Sequence, residues 1–308
     1  MDNRAEVRDF LTTRRAKVTP AQAGLPDAGQ RRVPGLRRAE VASLAGVSVE
    51  YYAKLERGAL GGVSASVLEG LARALQLDDA ERTHLFALAQ AADGTSALAR
   101  PRRRSTTRWT PRPSLQWTLE AITVPAIVVS GRMDLLAANT IGAAMHSSVY
   151  ESVHASVAGA SPNFARYTFL DPDSHRFYPH WDVAAAIAVA ILRTTAGADP
   201  RDKEMHDLVG ELSTRSEEFR RLWGTHDVRH HGSGTKTFNH TAVGDLELAY
   251  ESTSMVSEPG LTLTIYAAEP SSVTAERLQL LGSWAATRLE AREPASARHE
   301  SSQSLEQQ

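Results

Sequence analysis

The chain has 308 residues, 42% hydrophobic and 23% charged, with no cysteine. That size suits two domains, each able to bury its own core, and the missing thiols exclude disulfides, thiolate catalysis and cysteine-ligated zinc. The net charge of −2 hides an asymmetry: residues 1–110 carry 18 Lys+Arg against 12 Asp+Glu, a surplus of 6 positive charges, whereas residues 111–308 carry 16 against 24, a deficit of 8.

A basic half joined to an acidic half predicts that only the first meets nucleic acid. The opening residues MDNRAEVRDFLTTRR are charged throughout, unlike a signal peptide. The longest apolar stretch, Val183 to Leu192, is shorter than a bilayer span. A cytoplasmic protein with no membrane partner is expected.

In chain order, residues 4–16 read as a first helix with Val7, Phe10 and Leu11 on one side. A polar loop from Val18 to Gly35 holds Arg31 and Arg32. Arg37 to Arg57 then reads RRAEVASLAGVSVEYYAKLER. Val41, Ala42 and Ala45 give one short helix an apolar side, and Val47, Tyr52 and Leu55 give the next one its own. Gly46 supplies the positive φ between them and Ser48 caps the second. This spacing predicts a helix-turn-helix whose second helix enters a DNA major groove. Two further helices follow, one capped at Ser64 or Ser66, the other starting at Asp78-Asp79. Gly94 to Pro113, with three prolines and Arg102, Arg103, Arg104 and Arg108, reads as an exposed linker within reach of phosphates.

The second half mixes elements. A short helix at Leu115 to Ile122 precedes strands at Ala126 to Val129 and Leu135 to Ala138. A helix starts at Thr140, and the pattern is helical between His180 and Trp223, with Trp181 to Ala196 apolar on nearly every side. Strands at Thr235 to Val243, Leu246 to Thr253 and Leu261 to Ala268 are joined by Gly- and Pro-containing turns, and a last helix runs from Thr274 to Ala291. The predicted architecture is multidomain: an all-α helix-turn-helix bundle at 1–93, a linker at 94–113, an α+β PAS-like domain at 114–291 with a five-stranded antiparallel sheet and helices on one side, and a disordered tail at 292–308.

For DNA, the exposed side of the second helix offers Val49, Glu50, Tyr51 and Lys54, with Ser48 at its N-terminus and Arg37 and Arg38 at the start of the preceding helix. Lys54 suits guanine, Glu50 cytosine N4, Val49 a thymine methyl, Tyr51 a thymine methyl or phosphate, and the arginines phosphate or guanine. Glu56 reads as an internal cap or partner. Most such proteins bind pseudo-palindromes as two-fold dimers, so a homodimer is expected.

The chain also resembles the MmyB-like regulators, Xre-type helix-turn-helix proteins. The resemblance is carried by Arg32-Val33-Pro34-Gly35-Leu36-Arg37-Arg38, Glu40-Val41-Ala42, Leu44 to Ser48, Tyr51-Tyr52, Leu55 to Gly58 and Val67-Leu68. In the second half it rests on Asp134 to Asn139, Leu192-Arg193, Phe219 to Trp223, His226-Asp227-Val228 and Gly244-Asp245-Leu246. It implies a PAS-like second domain holding a fatty-acid-type ligand, and a role in transcription. Val63 stands where the family usually has Pro, and His240-Thr241 where His-Pro is common.

An apolar ligand needs an apolar lining with few polar anchors. The candidates are Trp181, Ile187, Ile191, Phe219, Trp223 and Tyr250, with Arg193 or His226 as the anchor for an acid head; core packing explains the rings and aliphatics equally well. His226, His230, His231 and His240 raise a metal reading, which no fixed helical spacing supports. No GxSxG, phosphate-binding Gly loop or HExxH occurs, so no enzyme is expected, and no cofactor beyond the apolar ligand. The competing functions are a helix-turn-helix interaction protein of antitoxin or scaffold type, and a metal or small-molecule enzyme with an appended helical domain.

Overall fold

The computed structural model describes residues 3–26, 35–93, 109–155, 161–224 and 232–288. Five helices come first: α1 (Asn3–Lys17), α2 (Arg38–Ala45), α3 (Val49–Glu56), α4 (Ala65–Ala74) and α5 (Asp79–Ala92). Then follow α6 (Pro113–Ala121), β1 (Ala126–Ser130), β2 (Leu135–Ala138), α7 (Thr140–Met145), α8 (Ser147–Glu151), α9 (Phe164–Leu170) and α10 (Ser174–Phe177). Three helices, α11 (Trp181–Ala198), α12 (Lys203–Arg215) and α13 (Glu217–Trp223), lead to β3 (Ser233–His240), β4 (Gly244–Ser254) and β5 (Leu261–Ala267). A last helix, α14, occupies residues 273–288. The chain forms two compact units, one of Met1–Thr106, Gly131–Met133 and Ala185–His231, the other of the remainder.

The first unit begins as predicted. Val7, Phe10 and Leu11 of α1 share a core with Val41, Ala42, Tyr52, Leu55, Leu68, Leu71, Leu85 and Leu88. Gly46 ends α2 with φ 69°. The Ser48 hydroxyl then caps α3 by accepting from the Tyr51 N–H at 3.1 Å. Asp78 and Glu81 form a reciprocal capping box at the start of α5. Ser64, preceded by Val63, caps α4 by accepting from the Val67 N–H. Glycines allow close backbone approach: a Cβ on Gly70 of α4 would lie 2.7 Å from the Ala45 carbonyl, and one on Gly58, in the turn after α3 at φ +100°, would run into the Arg4 backbone.

Composition assigns residues 185–224 to the second domain, yet they pack with the first. The reason is a buried charge. Arg193 is 1% exposed, and its guanidinium donates to Glu6 of α1 at 2.7 Å and to the Trp223 carbonyl. The same guanidinium lies 4.3 Å from the centre of the Trp223 ring. Nearby, Gly197 leaves room for the His84 ring and Leu88. At 18 residues α11 is long and apolar enough to be compared with a membrane span, but half of it is buried and it carries this ion pair. It is the core helix of a folded unit.

The second unit is built on one antiparallel sheet of order β2-β1-β5-β4-β3, in agreement with the predicted five strands. Helices lie on both faces rather than one. Leu115 and Leu119 of α6 pack against Ala126, Val128 and Leu261 on the outer face. The inner face carries Phe238 and Tyr266, which meet His146 from the end of α7 and, for Phe238, Phe177 of α10. Asn139 does what a cap can do at most: its carbonyl accepts from the N–H groups of Ala126 and Gly142, and its amide donates to the Ile122 and Val124 carbonyls. The helices α8, α9 and α10 go unread in the sequence because each is too short to show a period. The expected linker arginines and the tail beyond 288 lie outside the described residues.

Two outcomes test this packing. Gly58→Ala forces a side chain into positive φ against backbone and should cost about 1–3 kcal/mol, read as a lowered urea midpoint. Glu6→Gln strands a buried guanidinium and should cost about 3–5 kcal/mol, whereas the double change Glu6→Leu with Arg193→Met should cost less than Glu6→Gln alone.

Candidate functional site

The DNA-facing candidates sit on a braced helix. Glu56 at the end of α3 is 1% exposed. Its carboxylate accepts from Arg15 Nε of α1 at 2.5 Å, from Arg38 Nε at the start of α2, and from the Tyr52 hydroxyl at 3.4 Å. One carboxylate thus ties three helices together. Burial, with Glu56 adding to it, pushes the Tyr52 hydroxyl far above its usual range and keeps it neutral. The contact with Glu56 also raises the Arg38 pKa, so this cation stays charged. Neither Arg15 nor this carboxylate hub stands out in sequence, because the partners are 41 and 18 residues apart.

With the inward face fixed, the outward face of α3 is defined. Val49 is 42% exposed, and Glu50 and Lys54 are exposed one turn apart. Arg57, exposed and just past the helix, extends the row and was not among the predicted contacts. Tyr51 is half-buried against the core, so its ring serves packing as well as any outward contact. Arg37 is exposed and N-caps α2, with its N–H donating to Glu40 at 2.6 Å. Arg38 keeps more than half of its side chain exposed while its Nε is held by Glu56. This is a solvent-facing surface with Lys54 on α3, Arg57 just past it, Arg37 capping α2 and Arg38 in its first turn.

The predicted ligand residues are divided between the two units. Ile187, Ile191, Arg193, Phe219 and Trp223 belong to the first unit, and Trp181 and Tyr250 to the second. Phe219 and Trp223 stack at 5.4 Å, and Arg193 lies over Trp223. The guanidinium nominated for a ligand acid is taken by the protein's own Glu6. His226, with His230 and His231, lies outside the described residues. Trp181 donates to the Thr168 carbonyl at 3.0 Å and stacks on His175 at 4.2 Å. His240 is structural: its Nε2–H donates to the Ala144 carbonyl at 3.0 Å and its Nδ1 accepts from the Ala242 N–H. Among the described residues no group of three His, Asp or Glu is placed to hold a metal.

The second unit gathers other side chains instead. His146 is 1% exposed and surrounded by Phe164, Phe177, Phe238 and Tyr266, with ring centres 5.0–6.2 Å away. Burial, then the charge of Lys236, lowers its pKa to about 3. Lys236 of β3 lies 4.6 Å from the centre of the Tyr250 ring, and burial lowers its pKa to about 7. Tyr167 and Phe177 also line a pocket of about 470 Å³ that opens between α8, α9 and β3.

A bundle that braces an exposed short helix is built to present side chains to a groove, and a sheet with rings buried beneath short helices is built around an apolar interior. Two family comparisons agree with this division. Residues 6–85 match a helix-turn-helix domain, and residues 111–281 match the MmyB-like transcription regulator ligand binding domain. No curated protein matches the chain. The second match alone covers more than half of the 308 residues, and the chain belongs to the MmyB-like transcription regulators.

Proposed function

We propose that this regulator binds a specific operator as a cytoplasmic homodimer through α3, and that a fatty-acid-like molecule in the second unit controls it. The observation that carries the DNA reading is the hub at Glu56, which fixes α3 from behind and leaves Val49, Glu50 and Lys54 facing outward. Residues at the start of such a helix reach base edges, and cations flanking it reach phosphate. Arg37 and Arg38 supply those cations, with Ser48 setting the start of the helix. One helix-turn-helix reads a half-site, which favours two copies on a pseudo-palindrome. Arg38 is shared between Glu56 and solvent, so its variants report on both stability and binding.

The ligand reading rests on the apolar, ring-rich inner face of the sheet and on the family to which the domain belongs. An acyl chain gains about 0.8 kcal/mol per buried CH₂, so a long chain needs only one polar anchor. A ligand regulates only if it prefers one of two arrangements of the protein.

Gel shifts on the upstream region of the chain's own gene test the first part. Lys54→Ala and Tyr51→Ala should each weaken operator binding by about 1–3 kcal/mol relative to random DNA. Arg37→Ala should weaken both more evenly and flatten the salt dependence. Wild-type affinity in all three variants would show that α3 is not the reading helix. For the second part, organic extraction of purified protein should yield a medium- or long-chain fatty acid, and adding that acid to delipidated protein should raise its melting temperature. No extractable lipid and no thermal shift would remove the sensor role and leave DNA binding intact.

A further inference from the structure

We propose that the polar pocket between α8, α9 and β3 binds a small organic amine, whose ammonium sits between the Asp171 carboxylate and the Tyr167 hydroxyl. This goes beyond the fatty-acid reading: it adds a second ligand class to the same unit, and neither reading needs the other.

The pocket has a volume of about 470 Å³, which is ordinary for a small-molecule site, and all its walls belong to the second unit. Its charged lining is acidic, with Glu151, Asp171 and Asp173 against Arg176. Tyr167 and Phe177 add rings to the same walls. The pocket therefore combines apolar surface with an excess of carboxylate.

Two of the three acids already have cations. Asp173 pairs with Arg176 and Glu151 with Arg288, each at 3.0 Å and each at the surface. Asp171 differs. It is 9% exposed, and it accepts from the Ser152 hydroxyl and from the Asp173 N–H at 2.9 Å. Ser152 is fixed as the donor, because its own oxygen accepts from the N–H groups of His154 and Ala155. Both donors to Asp171 are neutral, and among the described residues no cation pairs with it. A carboxylate offers about four lone-pair sites, so about two remain for a further donor. Burying such a charge with no counter-charge is costly, and a cation entering the pocket offsets that cost. The two existing bonds orient the group in advance.

Tyr167 supplies the second observation. It is 1% exposed, and its ring is held edge-on by Phe177 and Tyr178. The hydroxyl end lies at the pocket, since the groups that act on it, Ser148, Asp171, Asp173 and Arg176, all line that pocket. Ser148 lies beside the hydroxyl, but no hydrogen bond of normal geometry closes. Burial, with the charges of Asp171 and Asp173 adding to it, pushes this hydroxyl above its usual range. It is therefore neutral, and its oxygen can accept.

The ligand class follows from these partners. An ammonium brings three donors and a positive charge, which suit the open side of Asp171 and the Tyr167 oxygen together. A ring or short alkyl group behind it finds Phe177 and the Tyr167 ring. A carboxylic acid would instead meet three carboxylates, and the one guanidinium in the lining is committed to Asp173.

The test titrates the full-length protein with phenethylamine, 2-phenylethanol and 3-phenylpropionate by calorimetry. Phenethylamine should bind about tenfold or more tightly than the alcohol of the same shape, the equivalent of one charge-assisted contact, and the acid should bind more weakly than either. Asp171→Asn and Tyr167→Phe should each remove most of the amine's advantage over the alcohol. A crystal structure of the wild-type complex should place the amine nitrogen within hydrogen-bond distance of Asp171 and Tyr167. That measurement needs no variant, so it stands even if a substitution fails to fold. Equal affinity for amine and alcohol, binding of none of the three probes, an amine seated elsewhere, or an undiminished preference in both variants would each overturn the proposal. The fatty-acid experiments use a different ligand, so either reading can fail alone.

Discussion

Everything the first unit presents to solvent depends on one buried carboxylate. Glu56 sits at the end of α3, out of water, and holds Arg15, Arg38 and Tyr52. Taking a carboxylate out of water is expensive, and its partners repay that cost only when geometry is good and every lone pair is used. Here the donors come from three different helices. A hydrophobic residue in its place would pack but would not set rotation. The carboxylate fixes the turn of α3 about its own axis, and so decides that Val49, Glu50 and Lys54, rather than Tyr52 and Leu55, face outward. Arg38 then has two roles in one guanidinium, an inward Nε and an outward charge.

A second internal charge pair does for the unit's composition what Glu56 does for its surface. Arg193 and Glu6 join a helix from within the ligand-binding family region to the first helix of the bundle. The family boundary at residue 111 and the packing boundary therefore differ, with residues 185–224 belonging to one by sequence and to the other by contact. A sequence family records what descends together, whereas packing records what is buried together. In this chain α11 belongs to both, its first turn in the second unit and the rest in the first.

The fold was legible wherever physics is local. Gly46 and Ser48 announce the helix-turn-helix through backbone conformation and capping, and the three C-terminal strands announce themselves through alternation between Gly-containing turns. Asn139 is local in one bond only: it caps α7 through the Gly142 N–H three residues on, while its other bonds reach 13, 15 and 17 residues back. What failed was long range. Arg193 after an apolar helix looks the same whether its carboxylate comes from a ligand or from Glu6, and nothing local distinguishes them. The short helix at Leu115 to Ile122 was expected, but its place on the outer face of the sheet was not, because α6 is amphipathic whichever face it covers. Lys236 and His146 were passed over since a single cation in a strand and a single imidazole after a helix usually point to water. Only the strand register and the ring cage reveal otherwise.

The ion pair between α1 and α11 also has a schedule. Its partners are 187 residues apart, and residues leave the ribosome at about 5–20 per second. Glu6 is therefore synthesised roughly ten to forty seconds before Arg193 exists. For that interval the helix-turn-helix must fold, or wait, with an acid where its finished core will accept only an ion pair. Closing so long a loop costs little more than closing a short one, because the entropy grows only with the logarithm of length. The nascent bundle can thus assemble early and remain incomplete, its final consolidation set by translation rather than by its own folding rate.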